Sequence, residues 1–307
     1  MRIGQRKSAR SIRELCSLLG YTRQAYYKHI RFEEKTALEY ELLLQQVALL
    51  RKSQKRIGTR KMLFILGDFI TEHKFSIGRD AFFDLLRKNN LLVRRRRGRK
   101  PQTTFSKHWH KKYDNLIIGF VPTAANQLWV SDITYINLEN EFAYLNLITD
   151  AYSRKIIGFY LCKDLSAKGT IHALRMALHG ITKRENKSSR LVHHSDRGLQ
   201  YCSNDYVNLL NDNFIDISMT QTGDPLDNAL AERVNGILKD ELLEEVYPDF
   251  KQAQSAVALA ISIYNYQRPH SSVDMLTPAK AHEKIGELKR HWKNYYSIKK
   301  EKEVDVA

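Results

Sequence analysis

Between residues 126 and 220 the hydrophobic pattern changes period in an order that leaves few topologies open. QLWVSDITYINL (127–138) and EFAYLNLITDAYS (141–153) are rich in β-branched and aromatic residues and flank a short Glu-Asn turn, which reads as a hairpin. KIIGFYLC (155–162) reads as a third strand. SAKGTIHALRMALHGI (166–181) then switches to helical spacing, with Ile171, Leu174, Ala177 and Leu178 on one face. RLVHHSD (190–196) is a short strand ending at an Asp-Arg-Gly turn, SNDYVNLLNDN (203–213) a helix, and FIDISMT (214–220) a last strand. The order βββαβαβα requires an antiparallel meander followed by parallel strands reached through helical crossovers. The expected class is α/β, a mixed five-stranded sheet with flanking helices.

The residues before this region have a different character. Residues 1–112 hold 28 Lys and Arg against 9 Asp and Glu, a net of +19, whereas the remaining 195 hold 22 against 25, a net of −3, so the whole positive excess is N-terminal. Such asymmetry points to a nucleic-acid-binding part joined to a nearly neutral domain. SIRELCSLLGYTRQAYYKHI (11–30) reads as two short helices. Ser11 caps the first, Gly20 makes the turn, and Thr22 caps a second that carries Arg23, Gln24, Tyr26, Tyr27 and Lys28. This is the helix-turn-helix pattern that sets its second helix in a major groove, so Arg23, Gln24, Tyr27 and Lys28 are candidate DNA contacts. An apolar-rich helix over 36–50 and a helix pair over 59–70 and 77–89 follow, the latter with Ser76 as cap. RRRRGRKP (94–101) closes the basic half, and Arg94, Arg95, Arg96 and Arg97 are expected to touch phosphate. The expected division is therefore a helix-turn-helix over 1–35, a second helical DNA-binding domain over 36–93 and a basic linker over 94–120. The α/β core with C-terminal helices occupies 121–285, and a basic tail 286–307.

Three cysteines, odd in number and in no ligand spacing, imply neither a disulfide framework nor structural zinc and suit a reducing compartment. With no apolar run of eighteen residues and no apolar stretch near the N-terminus, the expectation is a cytoplasmic, nucleoid-associated protein that meets no membrane.

GDPLDNALAERVNGILKDEL (223–242) is the last helix of the core, with Asp224 as N-cap and Pro225 in the first turn. Leu226, Leu230, Val234 and Ile237 share one face; Asn228, Glu232, Asn235 and Lys239 share the opposite one. Asp227 lies in the first turn, and Asp240 and Glu241 read as solvated charge, so Glu232 is the carboxylate this helix can present to a site. Asp132 sits inside the apolar strand WVSDITYI, where an acid is costly unless paired or metal-bound. Asp196 ends a short strand before a glycine turn, a place where open α/β sheets put reactive groups. Carboxylates from two strands and a helix form an oxygen-rich set suited to Mg²⁺ or Mn²⁺. Two such ions about 4 Å apart activate the attacking oxygen and stabilise the leaving one in phosphodiester displacement.

Asp132, Asp196 and Glu232, the last two separated by thirty-five residues, resemble the Asp-Asp-Glu triad of retroviral integrases and related transposases. "LWVSDITYI", "HHSDRGLQY", "SMTQTGDPLDNALAERVNGILKDE" and "YNYQRPHSSVDMLTPA" are more specific and closely resemble the OrfB-type transposases of bacterial insertion sequences with two overlapping reading frames. The strand order is that of the ribonuclease-H-like fold. The resemblance spans nearly the whole chain and implies an enzyme that cleaves and joins DNA strands. In such an enzyme water attacks at the element's end and the freed 3′-OH then attacks a second phosphodiester, so no tyrosine need act as nucleophile. It further implies that Asp132, Asp196 and Glu232 ligate two Mg²⁺ or Mn²⁺ ions, that Lys239 contacts DNA near the cut and that Asn228 orients the active-site strand. His194 is either a residue behind the ligands or a packed histidine. Arg268 and His270 would contact DNA, while Asn265 and Pro269 would shape a turn and Thr277-Pro278 would cap the last helix.

Expected partners are double-stranded DNA (terminal inverted repeats and target), further copies of the chain and a protein from the upstream frame. Two departures stand out: no His/Cys module precedes the core, and the aromatic-Gly-aromatic-Arg word appears as RIGTRK (56–61). The other readings are a catalytically silent DNA-binding regulator derived from a transposase, and a ribonuclease or structure-specific nuclease on the same fold.

Overall fold

The computed structural model describes residues 11–94, 109–181, 190–221 and 228–291. The chain forms two compact units, one of Met1–Ser53 with Gly58–Leu92 and one of Gln54–Ile57 with Val93–Ala307.

The first unit is helical: α1 (Ile12–Leu18), α2 (Arg23–Ser53), α3 (Thr59–Ile65), α4 (Gly67–Glu72) and α5 (Arg79–Lys88). Helix α1 opens on a capping box, in which Ser11 Oγ accepts from Glu14 N and the Glu14 carboxylate accepts from Ser11 N. It closes on Gly20, whose φ of +73° allows Tyr21 N to reach Cys16 O and Gly20 N to reach Ser17 O, satisfying the last carbonyls. Thr22 caps α2 through Ala25 N at 3.1 Å. The helix expected over 36–50 is the second half of α2, which runs unbroken for 31 residues because no Gly or Pro interrupts it. Leu43 and Val47 bury its inner stripe, and Met62, Phe82 and Leu86 are fully buried on the later helices. The 59–70 helix is divided at Leu66 into α3 and α4. Helix α5 starts at Arg79 with Gly78 as its N-cap, so Ser76 does not cap it.

The second unit holds β1 (Leu128–Asn137), β2 (Phe142–Asp150), β3 (Ile156–Cys162), α6 (Ala167–Leu178), β4 (Val192–Ser195), α7 (Asn204–Asp212) and β5 (Asp216–Met219). These are followed by α8 (Ala229–Ile237), a π-helical turn (Leu238–Leu242), α9 (Phe250–Tyr266) and α10 (Pro278–His282). The five-stranded sheet has the order β3-β2-β1-β4-β5; β1–β2 and β2–β3 are antiparallel, β1–β4 and β4–β5 parallel. This is the mixed ribonuclease-H-like sheet that the alternation of patterns demanded.

One apolar layer joins Trp129, Ile133 and Ile148 to Leu174 and Ala177 of α6 and Tyr206 and Leu210 of α7. The other joins Ile136, Leu145 and Leu147 to Val234 and Ile237 of α8 and Val257, Ile261 and Tyr264 of α9. Gly158 lets α6 lie directly on β3: a Cβ there would come within 2.2 Å of Ala173 O. Gly158→Ala is therefore expected to lower stability by about 1–3 kcal/mol, read by urea denaturation. Thr277 caps α10 with Pro278 in its first turn, as the sequence indicates. The three cysteines are free, and no helix among the described residues is long and apolar enough to cross a membrane.

Candidate active site on the central strands

Strand register brings the first two acids together. Strands β1 and β4 pair as Leu128↔Val192, Trp129↔His193 and Val130↔His194. Carried forward at the same offset, this register sets Asp132 opposite Asp196, the residue that follows the end of β4. Parallel strands in register point equivalent side chains to the same face, so the two carboxylates converge. Asp196 is held at the turn by Gly198 N, which donates to Oδ1 at 3.0 Å. A Cβ at Gly198 would come 2.9 Å from that same oxygen, so the glycine leaves room for the acid.

Helix α8 is tied to β1 by two amides. Asn228 Nδ2 donates to Ser131 O at 3.0 Å, and Asn235 Nδ2 donates to Asp132 Oδ2 at 2.6 Å. Between them, Glu232 stands exposed in the first turn. Burial pushes the Asp132 carboxyl up to about 7; the charge of Asp196 adds to this, the Asn235 hydrogen bond opposes it, and Glu232 adds a smaller push. Asp132 thus feels the charges of both Asp196 and Glu232. Among the described residues, no three His, Cys, Asp or Glu side chains are drawn close enough to enclose a metal ion. The donor set is nevertheless all carboxylate, which suits a hard divalent cation, and the acid made hardest to ionise is the one that cation would relieve.

Behind Asp132 the support is neutral. His193 Nε2 meets Ser131 Oγ at 2.7 Å and Tyr206 OH at 2.9 Å, and burial pushes the imidazole down to about 3. His194 is fully buried with Nδ1 2.8 Å from Ser218 Oγ, a placement that suits both of its readings.

Several expectations are corrected. The described part of the last core helix begins at Ala229 with Asn228 as N-cap; Asp224, Pro225, Leu226 and Asp227 lie outside the described residues. The face bearing Asn228 and Asn235 is turned to β1, where both side chains are buried. Glu241 is not solvated charge: it receives Arg268 Nε at 2.8 Å and Nη2 at 2.9 Å, and Arg268 is 1% exposed. That burial leaves Arg268 no surface to offer DNA. His270 is likewise buried, with Nδ1 2.9 Å from Ser272 Oγ. Asn265 does more than shape a turn, since its amide accepts from Ile156 N and donates to Ile156 O, both at 2.9 Å. Lys239 lies in the π-turn with Nζ over the Tyr135 ring. In the first unit Arg23, Gln24, Tyr27 and Lys28 are all exposed on the first turns of α2. Arg94 is exposed, and Arg95, Arg96 and Arg97 lie outside the described residues. Asn235 is the site residue that sequence reasoning passed over; its spacing from Glu232, one helical turn, was the available signal.

The sheet, with one acid inside β1 and another just past the end of β4, defines an integrase-type catalytic core. Two family models described as Integrase core domain match residues 122–225 and 213–278. An uncharacterized 31 kDa protein of insertion element IS600 from Shigella sonnei is 31% identical over 279 residues, 89% of this chain and 99% of that protein. The transposase for insertion sequence element IS904 from Lactococcus lactis is 31% identical over 180 residues, 56% of this chain and 70% of that one. Among solved structures, the HTLV-2 integrase catalytic core domain in complex with magnesium (trimeric form) matches with a TM-score of 0.41 and 19% identity, covering 52% of this chain and 98% of that one. The chain belongs to the insertion-sequence transposases that carry an integrase core domain, a family of polynucleotidyl transferases.

Proposed function

We propose that the chain cleaves DNA at the ends of its insertion sequence and joins the freed 3′-OH ends to target DNA, using Asp132, Asp196 and Glu232 as the catalytic carboxylates. The observation that carries this reading is that Asp196 directly follows β4, the parallel neighbour of the strand that bears Asp132, with Asn235 holding one oxygen of Asp132 from the helix that bears Glu232. Two Mg²⁺ or Mn²⁺ ions held by these acids would supply Lewis-acid activation of the attacking oxygen and neutralise charge on the leaving one. Asn235 orients Asp132 by donating to Oδ2. Asn228 fixes the strand backbone one residue earlier, so the acid cannot swing with thermal motion of β1. Lys239 would hold a phosphate of the end being cut. The exposed Arg23, Gln24, Tyr27 and Lys28 would read the terminal inverted repeats, with Arg94, Arg95, Arg96 and Arg97 on the backbone. Joining two ends requires more than one copy of the chain, and a protein from the upstream frame is the natural assembly partner. The work is done on DNA in the bacterial cytoplasm.

The test uses duplexes copied from the DNA that borders the gene on each side. The full chain is expected to nick one of them at a fixed position when Mg²⁺ is present and to join the product to a supercoiled plasmid. EDTA should stop both steps and leave DNA binding in place. Absence of any position-specific nick with Mg²⁺ or Mn²⁺, in a chain that binds those duplexes, would sink the assignment.

A further inference from the structure

The turn between β2 and β3 holds a cation that its neighbours do not neutralise. Arg154 closes this turn at a φ of +68°, a left-handed conformation that costs free energy in residues other than glycine. Arg154 N donates to Asp150 O at 2.9 Å, and Asp150 N donates to Lys155 O at 2.8 Å. The Asp150 carboxylate is fully buried and accepts from Asn126 N, Ser153 N and Ser153 Oγ at 2.7–2.8 Å. The turn's own acid is thus engaged with backbone and with Ser153.

The Arg154 side chain is partly buried and meets neutral oxygens. Its Nε donates to Ser272 Oγ at 3.3 Å and its Nη1 to Ala151 O. Among the described residues no carboxylate bridges it, and the guanidinium has more N–H groups than these two bonds use. Burial pushes this group down from its ordinary value, with Arg290 pushing the same way and Tyr264 and Asp150 opposing.

Arg290 comes within electrostatic reach through a backbone pairing. Asp274 N donates to Lys289 O and His291 N to Ser271 O, both at 2.8 Å, so residues 289–291 run beside 271–274. Ser272, the acceptor of Arg154 Nε, lies inside that pairing. The same segment is tied down earlier, where Gly286 N donates to Thr123 O and Tyr152 OH donates to Gly286 O.

A partly buried cation is costly without an opposite charge, and a second cation nearby adds to the cost. An anion that accepts from both guanidinium groups relieves both, and phosphate oxygens match their planar forks. The turn also lies apart from the carboxylates: Asp150 pairs with Trp129, about 10 Å along β1 from Asp132. Resting on the transposase reading above for the source of the anion, we propose that Arg154 and Arg290 form a second binding site, one that takes a backbone phosphate of double-stranded DNA.

The test follows binding of the full chain to a fluorescein-labelled duplex of arbitrary sequence, in EDTA, across a range of NaCl concentrations. Arg154→Met should bind about ten-fold more weakly at low salt, and the slope of log K against log[NaCl] should fall by about one. Arg154→Lys keeps the charge and should keep the slope. Arg290→Gln, at an exposed position, should also lower the slope by about one, and it carries the test should Arg154→Met fail to fold. In urea without DNA, Arg154→Met should be no less stable than the parent, because an uncompensated charge has been removed. A fall in its urea midpoint with an unchanged slope would make Arg154 a brace of the turn and overturn the proposal. An unchanged slope in Arg290→Gln overturns it as well. So does a melting temperature raised by inorganic phosphate alone, lost in Arg154→Met, with the slope unmoved, since that marks a free-anion site. Nicking of the border duplex by the parent, run alongside, reports on the transposase reading separately from all of these.

Discussion

Asp132→Asn is expected to abolish end nicking and to make the metal-free protein more stable. The activity loss should reach about three orders of magnitude, because the central carboxylate of the cluster is replaced by a neutral amide that cannot balance a divalent cation. Glu232→Gln should give a comparable loss and leave DNA binding nearly intact. Stability moves the other way. The Asp132 carboxyl stands at about 7 in the folded chain, well above its ordinary value of 3.8. A group raised by folding contributes stability that is fully present below the unfolded value and is lost as the pH rises through the folded one. The parent chain should therefore weaken between pH 4 and pH 7, by up to a few kcal/mol, while Asp132→Asn stays level across that window. Asp132 keeps some contact with solvent, which tempers the size of this change. Thermal melts in EDTA at pH 5 and pH 8 read it directly. Mg²⁺ should raise the melting temperature of the parent at pH 8 and have little effect on Asp132→Asn. A variant that loses activity together with stability at pH 8 would point to damage to the fold and not to the loss of a ligand.

Arg268→Met is expected to be the most destabilising single change in the C-terminal part of the chain, at about 3–5 kcal/mol. Arg268 is 1% exposed, and its Nε and Nη2 donate at 2.8 and 2.9 Å to the two oxygens of a carboxylate that is itself mostly buried. Removing the guanidinium leaves that carboxylate without its main partner, and the π-turn loses its anchor. Removing both charges is much less harmful, since a buried pair replaced by apolar groups of similar volume is often neutral. Arg268→Met with Glu241→Leu should thus recover most of the loss in urea denaturation. If the single variant falls by less than about 1 kcal/mol, the pair behaves as an ordinary surface bridge and the reading of the motif is wrong.

The strands and their order were legible because alternation, helical spacing and turn residues agree at every boundary from Leu128 to Met219. Asp132 stood out as an acid among apolar neighbours, and Asp196 as one at a strand end before glycine. Other features had signals that point both ways. The run RFEEK within α2 looks like a boundary by charge, yet contains nothing that stops a helix. Asn228 and Asn235 count as polar in any amphipathic pattern, although an amide buries readily when a carbonyl or carboxylate receives it. Arg268 and Glu241 lie 27 residues apart, and nothing in either local stretch says that they meet. A motif arginine in a DNA enzyme invites the reading of a phosphate contact; only packing reveals that its role is internal.

The short parallel pairing of β1 with β4 has a consequence for how this core tolerates change in length. What sets Asp196 against Asp132 is the register of the last few ladder steps and nothing earlier in the chain. Residues added between Leu178 and Val192 would lengthen the connection between α6 and β4 without shifting the β1–β4 ladder. One residue added between Val192 and Ser195 would turn Asp196 to the other side of the sheet. Separation along the chain is therefore a loose quantity in this enzyme, and separation along the sheet a strict one.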